Sequence, residues 1–251
     1  MKTSEKKHWD DFWAASSELD DVYGTDDRIV EHLREHIELP GRLVLEVGAG
    51  TGRDTDKLAG LGAVAIALDY SEESLALITR SLHQPVHIVC GDAFRLPFPD
   101  ETFDVVFHQG LLEHFKNPGE MLDEHIRVLK SGGVILVDVP QRYHYYTVLK
   151  HILIAMGKWF AGWETEFSIA ELSGLLETRG LKIVSVYGHN PSPPIWYRGL
   201  RRVLLKIGLR LPMYPRAPRP VARMAQSVVA MIPAGLRRNT AMVIGCIARR
   251  T

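Results

Sequence analysis

In the stretch LVLEVGAGTGRDT, residues 43–55, three glycines (Gly48, Gly50 and Gly52) fall within five positions directly after an apolar, β-branched run. Glycine serves where a chain needs positive φ or where a ligand approaches the main chain, so a strand feeding this loop into a helix predicts a nucleotide site. The spacing is GxGxG and lacks the third glycine of the dinucleotide fingerprint, while Gly52-Arg53-Asp54 stands where a Walker loop needs Gly-Lys-Ser/Thr. With Glu46 just before the loop and Asp54 just after it, a phosphate would meet negative charge, and a cationic ligand would not. Asp69, 17 positions past Gly52, is placed to accept both hydroxyls of a nucleoside ribose.

These residues need a sheet to bring them together. LVLEV (43–47), AVAIALD (63–69), VHIVCGD (86–92), FDVVFHQ (103–109) and VILVDVP (134–140) read as strands, with helices at TDKLAGLG, at SEESLALITRSL from Ser71 and at NPGEMLDEHIRVLKSGG (117–133). The first 40 residues read as helical, with Asp26 and Asp27 as caps before IVEHLREHIEL. Alternating helices and near-continuous apolar strands predict a parallel sheet covered on both faces. In such sheets ligands lie beyond the carboxyl ends of the strands, occupied here by Glu46 to Gly52, Asp69-Tyr70, Gly91-Asp92-Ala93 and His108-Gln109-Gly110.

The runs LEVGAGTG, ALDYSEESL, GDAFRLPFPDETFDVVF, HQGLLEHFKNPGEMLDEHIRVLKSGGVILVDVP and SIAELSGLLETRGLKIVSV, in this order over roughly residues 40 to 188, resemble the class I S-adenosylmethionine-dependent methyltransferases acting on quinones, lipids and other small molecules. The resemblance implies an α/β, Rossmann-like seven-stranded mixed sheet in the order 3-2-1-4-5-7-6, its last strand antiparallel, with helical cap insertions. It implies S-adenosylmethionine as cofactor and S-adenosylhomocysteine as product. Gly48, Ala49, Gly50 and Gly52 would lie along the methionine and ribose portions, Glu46 near the amino group and Asp69 on the ribose. Tyr70 would pack beside the adenine, Asp92 and the Ala93 amide would contact its edge, and His108 and Gln109 would lie under the sulfonium. The aromatic residues Trp9, Phe12, Trp13 and Tyr23 would belong to a lid.

A sulfonium carries its methyl already activated, so the protein mainly has to align a nucleophile and exclude water. Where a general base helps, His108, His114 and His144 are the candidates. His114 lies in LLEHF, and related enzymes that bind a metal in this loop use Glu-x-x-Glu-His; Gly110 stands at the first position, so no metal is expected.

Two segments depart from the minimal fold. The stretch 141–167 is aromatic and follows the fifth strand, so Tyr143, Tyr145, Trp159 and Trp163 are expected to wall an apolar acceptor pocket. Between LKIVSV (181–186) and NTAMVIGCIAR (239–249), read as the last two strands, lies a basic insertion. In WYRGLRRVLLKIGLRL the residues Leu200, Val203, Leu204, Ile207 and Leu211 share one helical face, with Arg198, Arg201, Arg202, Lys206 and Arg210 over the other. The organisation expected is an N-terminal helical lid (1–40), a cofactor-binding core (41–188 and 239–251) with a cap insertion at 141–167, and a basic amphipathic insertion at 189–238.

The formal net charge of zero conceals a division. Residues 1–180 hold 17 basic and all 30 acidic side chains, and residues 181–251 hold thirteen basic ones and no acidic one. Three readings follow for the tail: an anionic membrane surface meeting 196–238, a cap whose apolar stripe packs on the sheet while its arginines meet the acidic body, and nucleic acid, the least favoured. The acceptor expected is a small or lipid-like molecule. A catalytically silent cofactor-binding scaffold at the membrane and a nucleic-acid methyltransferase stand as alternatives. Cys90 and Cys246 both read as reduced core thiols, and the absence of a signal-like or spanning segment predicts a cytoplasmic protein, peripheral at the membrane.

Overall fold

The computed structural model describes residues 6–15, 27–157, 159, 164–191, 193–212, 224, 227 and 229–251. Seven strands form one sheet in the order β3-β2-β1-β4-β5-β7-β6, as the resemblance implies. They are β1 (Leu43–Val47), β2 (Val64–Asp69), β3 (Val86–Cys90), β4 (Phe103–Gln109), β5 (Leu129–Pro140), β6 (Leu181–His189) and β7 (Val243–Arg250). β1 to β5 pair in parallel, and β7 runs antiparallel between β5 and β6.

The helices are α1 (Lys6–Ala15), α2 (Arg28–Arg34), α3 (Arg53–Gly60), α4 (Glu72–Ser81), α5 (Pro118–Val128), α6 (Tyr145–Ala155), α7 (Ile169–Glu177), α8 (Ile195–Lys206) and α9 (Ala234–Asn239). Local chemistry sets several of their starts. The Ser71 hydroxyl accepts from Ser74 N at α4, and Ser168 with Glu171 closes a reciprocal capping box at α7. Several boundaries differ from the sequence reading; the last strand, read from 239, begins at Val243. α2 stops at Arg34, and α5 gives way at Leu129 because that side chain is buried in the sheet, paired with Phe103.

Strand alternation divides the core. Leu45 and Val106 join the cluster formed with Met121 and Leu122 of α5 and with Leu172 and Leu176 of α7. Their neighbours Val44 and Val105 face the other way, onto Ile29, Leu33 and Leu58. Fully burying each such side chain contributes about 1.5–3 kcal/mol. Cys246 is buried as expected, whereas Cys90, on edge strand β3, is exposed. No helix among the described residues is long and apolar enough to cross a membrane.

Candidate active site

One cavity of about 1010 Å³ opens beyond the carboxyl ends of β1, β2 and β4 and continues beneath α6 and α8. Its floor is the glycine loop. Gly48, Gly50 and Gly52 all have positive φ, which explains the residue type, and a Cβ on Gly50 would stand 2.9 Å from the Trp13 ring. Gly48, Ala49 and Gly50 line the cavity. Gly52 does not: it precedes α3 and packs against Ile78.

Asp69 fastens this loop. Its Oδ2 accepts from Gly50 N (2.8 Å) and its Oδ1 from Ser71 N (2.9 Å), while the Ser74 hydroxyl donates to Gly50 O (2.7 Å). The Ser74 side chain and the Tyr70 amide add hydrogen bonds to the same carboxylate, so the protein itself satisfies much of it. Burial nevertheless pushes the Asp69 carboxyl above its ordinary value. Glu46, also in the wall, accepts from Thr55 N and the Thr55 hydroxyl; burial and neighbouring Asp54 push it up to about 8. Tyr70 borders the cavity with the Lys6 ammonium 5.5 Å from its ring centroid. Asp92, whose Oδ1 accepts from Phe94 N, and Ala93 complete this end. At the end of β4 the Gln109 Oε1 is buried without a partner among the described residues, an acceptor left for a bound donor.

These features fit an adenosine-type ligand with an amino group: carboxyls lining the wall, an orphaned amide oxygen, and backbone held open by glycine.

The second half of the cavity was only partly legible. Trp159 lines it, its indole N–H donating to Glu164 Oε1 (2.8 Å). Lys150 is only 2% exposed, pointing in from α6 to Glu164 (2.8 Å) and Glu166 (2.6 Å), and these carboxylates hold its ammonium above the ordinary lysine range despite burial. Glu113, in the short 3-10 turn Leu112–His114, faces the same space. Arg28 of α2 also lines the cavity and grips Asp138 of β5 through Nε (3.2 Å) and Nη2 (3.0 Å), with the Tyr187 hydroxyl donating to the same carboxylate (2.7 Å). Trp159 was expected in a pocket wall, but sequence reading singled out none of the roles of Lys150, Glu113, Glu164, Glu166, Arg28 and Asp138. The available signals were a charged residue on the apolar face of 145–155 and an arginine in the first turn of α2.

Three expectations are corrected. His108 does not line the cavity: it shares the face of Val106, is 0% exposed, and packs 5.3 Å from the His125 ring, where burial holds it well below the ordinary histidine value. Its neighbour Gln109 takes the cavity side. His144 caps α6, accepting from Tyr146 N, and borders a separate shallow depression together with Tyr143 and Tyr145. Those tyrosines are 63% and 60% exposed and do not wall the main cavity. His114 alone of the three histidines lines it, edge-on to Trp9 at 4.8 Å. Trp9, Phe12 and Trp13 of α1 border the cavity as well; Tyr23 and Trp163 lie outside the described residues.

The insertion is turned inside out relative to the cap reading. Arg198 and Arg201 of α8 line the cavity, and Tyr197 is buried. Val203 (61%) and Ile207 (69%) face outward with Leu200, as do Val148, Leu149, Ile152 and Met156 of α6. Of the twenty exposed large apolar side chains among the described residues, sixteen lie between 143 and 156 or between 200 and 236.

Residues 45–137 match the family profile of a methyltransferase domain. A Mycolicibacterium smegmatis protein named "Probable S-adenosylmethionine-dependent methyltransferase" is 34% identical over 148 residues, covering 59% of this chain and 55% of its own. A demethylmenaquinone methyltransferase of Corynebacterium urealyticum is 34% identical over 136 residues, 53% of this chain and 58% of its own. The chain thus spans little more than half the length of these relatives. Magnesium protoporphyrin IX methyltransferase from Synechocystis, solved with S-adenosylhomocysteine, has a TM-score of 0.58 at 16% identity, covering 90% of this chain and 81% of its own. Residues 45–137 thus match a methyltransferase-domain profile, and they lie in a seven-stranded sheet whose fold that solved neighbour shares.

Proposed function

We propose that this chain transfers the methyl group of S-adenosylmethionine to an O, N or C nucleophile of a small, lipophilic acceptor, releasing S-adenosylhomocysteine. The observation that carries this reading is the continuity of one cavity from the Gly48–Gly50 loop and Asp69 to the chamber under α6 and α8. When bound, the cofactor supplies an electrophilic methyl group. Asp69 and Asp92 hold its nucleoside, Glu46 and Gln109 accept from its polar hydrogens, and the aromatic rings of α1 exclude water from the join between the two chambers. The acceptor is positioned against Trp159, Tyr146 and Phe115.

The lipophilic acceptor is supported by the demethylmenaquinone relatives and by the outward apolar face of α6 and α8. On this reading the acceptor is drawn from an anionic bilayer that meets 196–238. A second copy of the chain is a poorer occupant of that face, because ten cations without an acidic residue in 189–238 would repel their own copies.

Calorimetric titration with S-adenosylmethionine, S-adenosylhomocysteine and NAD tests the cofactor. Binding of both sulfur nucleosides without NAD is expected; binding of NAD alone overturns the reading. Product formation from a demethylmenaquinone-type quinol then separates an enzyme from a silent scaffold.

A further inference from the structure

Glu113 is a cavity carboxyl with no ion pair among the described residues. It lies in the Leu112–His114 turn just after β4, is 3% exposed, and lines the cavity. Its Oε2 is buried and meets no partner among the described residues, and its backbone carbonyl accepts from Thr165 N (2.9 Å). The turn is fixed against the cofactor side: Leu111 packs on Gly48, where a Cβ would stand 3.0 Å from its Cδ1. Glu113 therefore sits where nucleoside cradle and acceptor chamber meet.

We propose that Glu113 takes the proton of an acceptor hydroxyl of the phenol or enol class, and that the positive charge of the bound sulfonium ionises Glu113 first. This rests on the methyl-transfer reading. The acceptor oxygen gives its proton to a Glu113 oxygen and uses the freed electron pair to bond the methyl carbon, whose bond to sulfur breaks with its pair going to sulfur.

The surroundings agree with such a switch. Glu113 is pushed well above the usual carboxyl range by burial first and by Glu164 second, with Asp138 adding to this and Lys150 opposing it. Lys150 is already shared by Glu164 and Glu166, and Arg28 holds Asp138, so both of these cations are engaged by other carboxylates. His114 beside it, Glu46, Asp54 and Asp69 at the glycine loop, Tyr146 of α6 and the cations Arg198 and Arg201 of α8 also line this space. A new positive charge within about 4–6 Å favours the carboxylate. The neutral thioether of S-adenosylhomocysteine brings no such charge.

The test needs no acceptor. Titrations with S-adenosylmethionine and with S-adenosylhomocysteine, each in buffers of different ionisation enthalpy at pH 7.5, count the protons released on binding. The expected result is a larger release with S-adenosylmethionine, a difference abolished in Glu113→Gln and retained in Glu46→Gln, which senses the amino group common to both ligands. In the wild-type protein, S-adenosylmethionine should remove more protonated-carboxyl infrared intensity than S-adenosylhomocysteine does, a measurement that does not depend on the variant folding. Equal proton counts with both nucleosides bound, or a difference that survives in Glu113→Gln, overturns the proposal. Binding of neither nucleoside sinks the methyl-transfer reading on which it rests.

Discussion

Asp69 Oδ2 and Gly50 N lie 2.8 Å apart, so the residue that ends β2 holds the glycine loop in shape while the same carboxylate faces the cavity. Asp69→Ala should therefore lose loop order and ligand contacts together. Hydrogen bonds to charged groups contribute about 1.5–3 kcal/mol each, so the affinity for S-adenosylhomocysteine should fall at least about tenfold. Titration calorimetry reads this, and an unchanged Kd removes Asp69 from the site.

The Arg28–Asp138–Tyr187 triad is a buried structural joint. Arg28→Met leaves Asp138 with only the Tyr187 hydroxyl, and breaking a buried pair in this way costs about 3–5 kcal/mol. Urea unfolding should show that loss, with Tyr187→Phe losing only about 1–2 kcal/mol as a single hydrogen bond. Equal effects from the two variants would contradict the charge-pair account.

Glu46 gives a pH signature. Its folded value of about 8 lies above its ordinary value, so the native state binds the extra proton between pH 4.5 and 8. The stability it contributes is fully present at low pH and is lost as pH rises through that window. Glu46→Gln should match the wild type near pH 4.5 and exceed its Tm near pH 9. Parallel melting curves at both pH values would refute this.

The outward face of the insertions predicts membrane behaviour. Wild-type protein should co-sediment with anionic vesicles more than with neutral ones, and Val203→Glu with Ile207→Glu should weaken retention on both. Since each side chain is already exposed, the double variant should keep its melting temperature. Equal retention on anionic and neutral vesicles would exclude the charge contribution.

The strands of the parallel half and the glycine loop were legible because they depend on local rules, strand periodicity and positive φ, whereas the order of the seven strands came only from the resemblance to a known family. His108 was misplaced although the alternation that sends Val106 to the α5 side also sends His108 there. Lys150 stands as a single cation within the apolar run of 145–155, yet burial with two carboxylates makes it the inward face of α6. The orientation of α8 was out of reach for a different reason. An amphipathic pattern defines two faces without saying which one meets the body, and here a polar chamber takes the arginines and leaves valine and isoleucine outside.

The contact between Trp13 and Gly50 has an optical consequence. An indole resting on the loop that carries the nucleoside makes the chain its own reporter: adenine entering beside that ring should quench or shift the intrinsic emission, and Trp13→Phe should silence that component while the other tryptophans still glow. Site occupancy could then be followed on the stopped-flow timescale with no label attached.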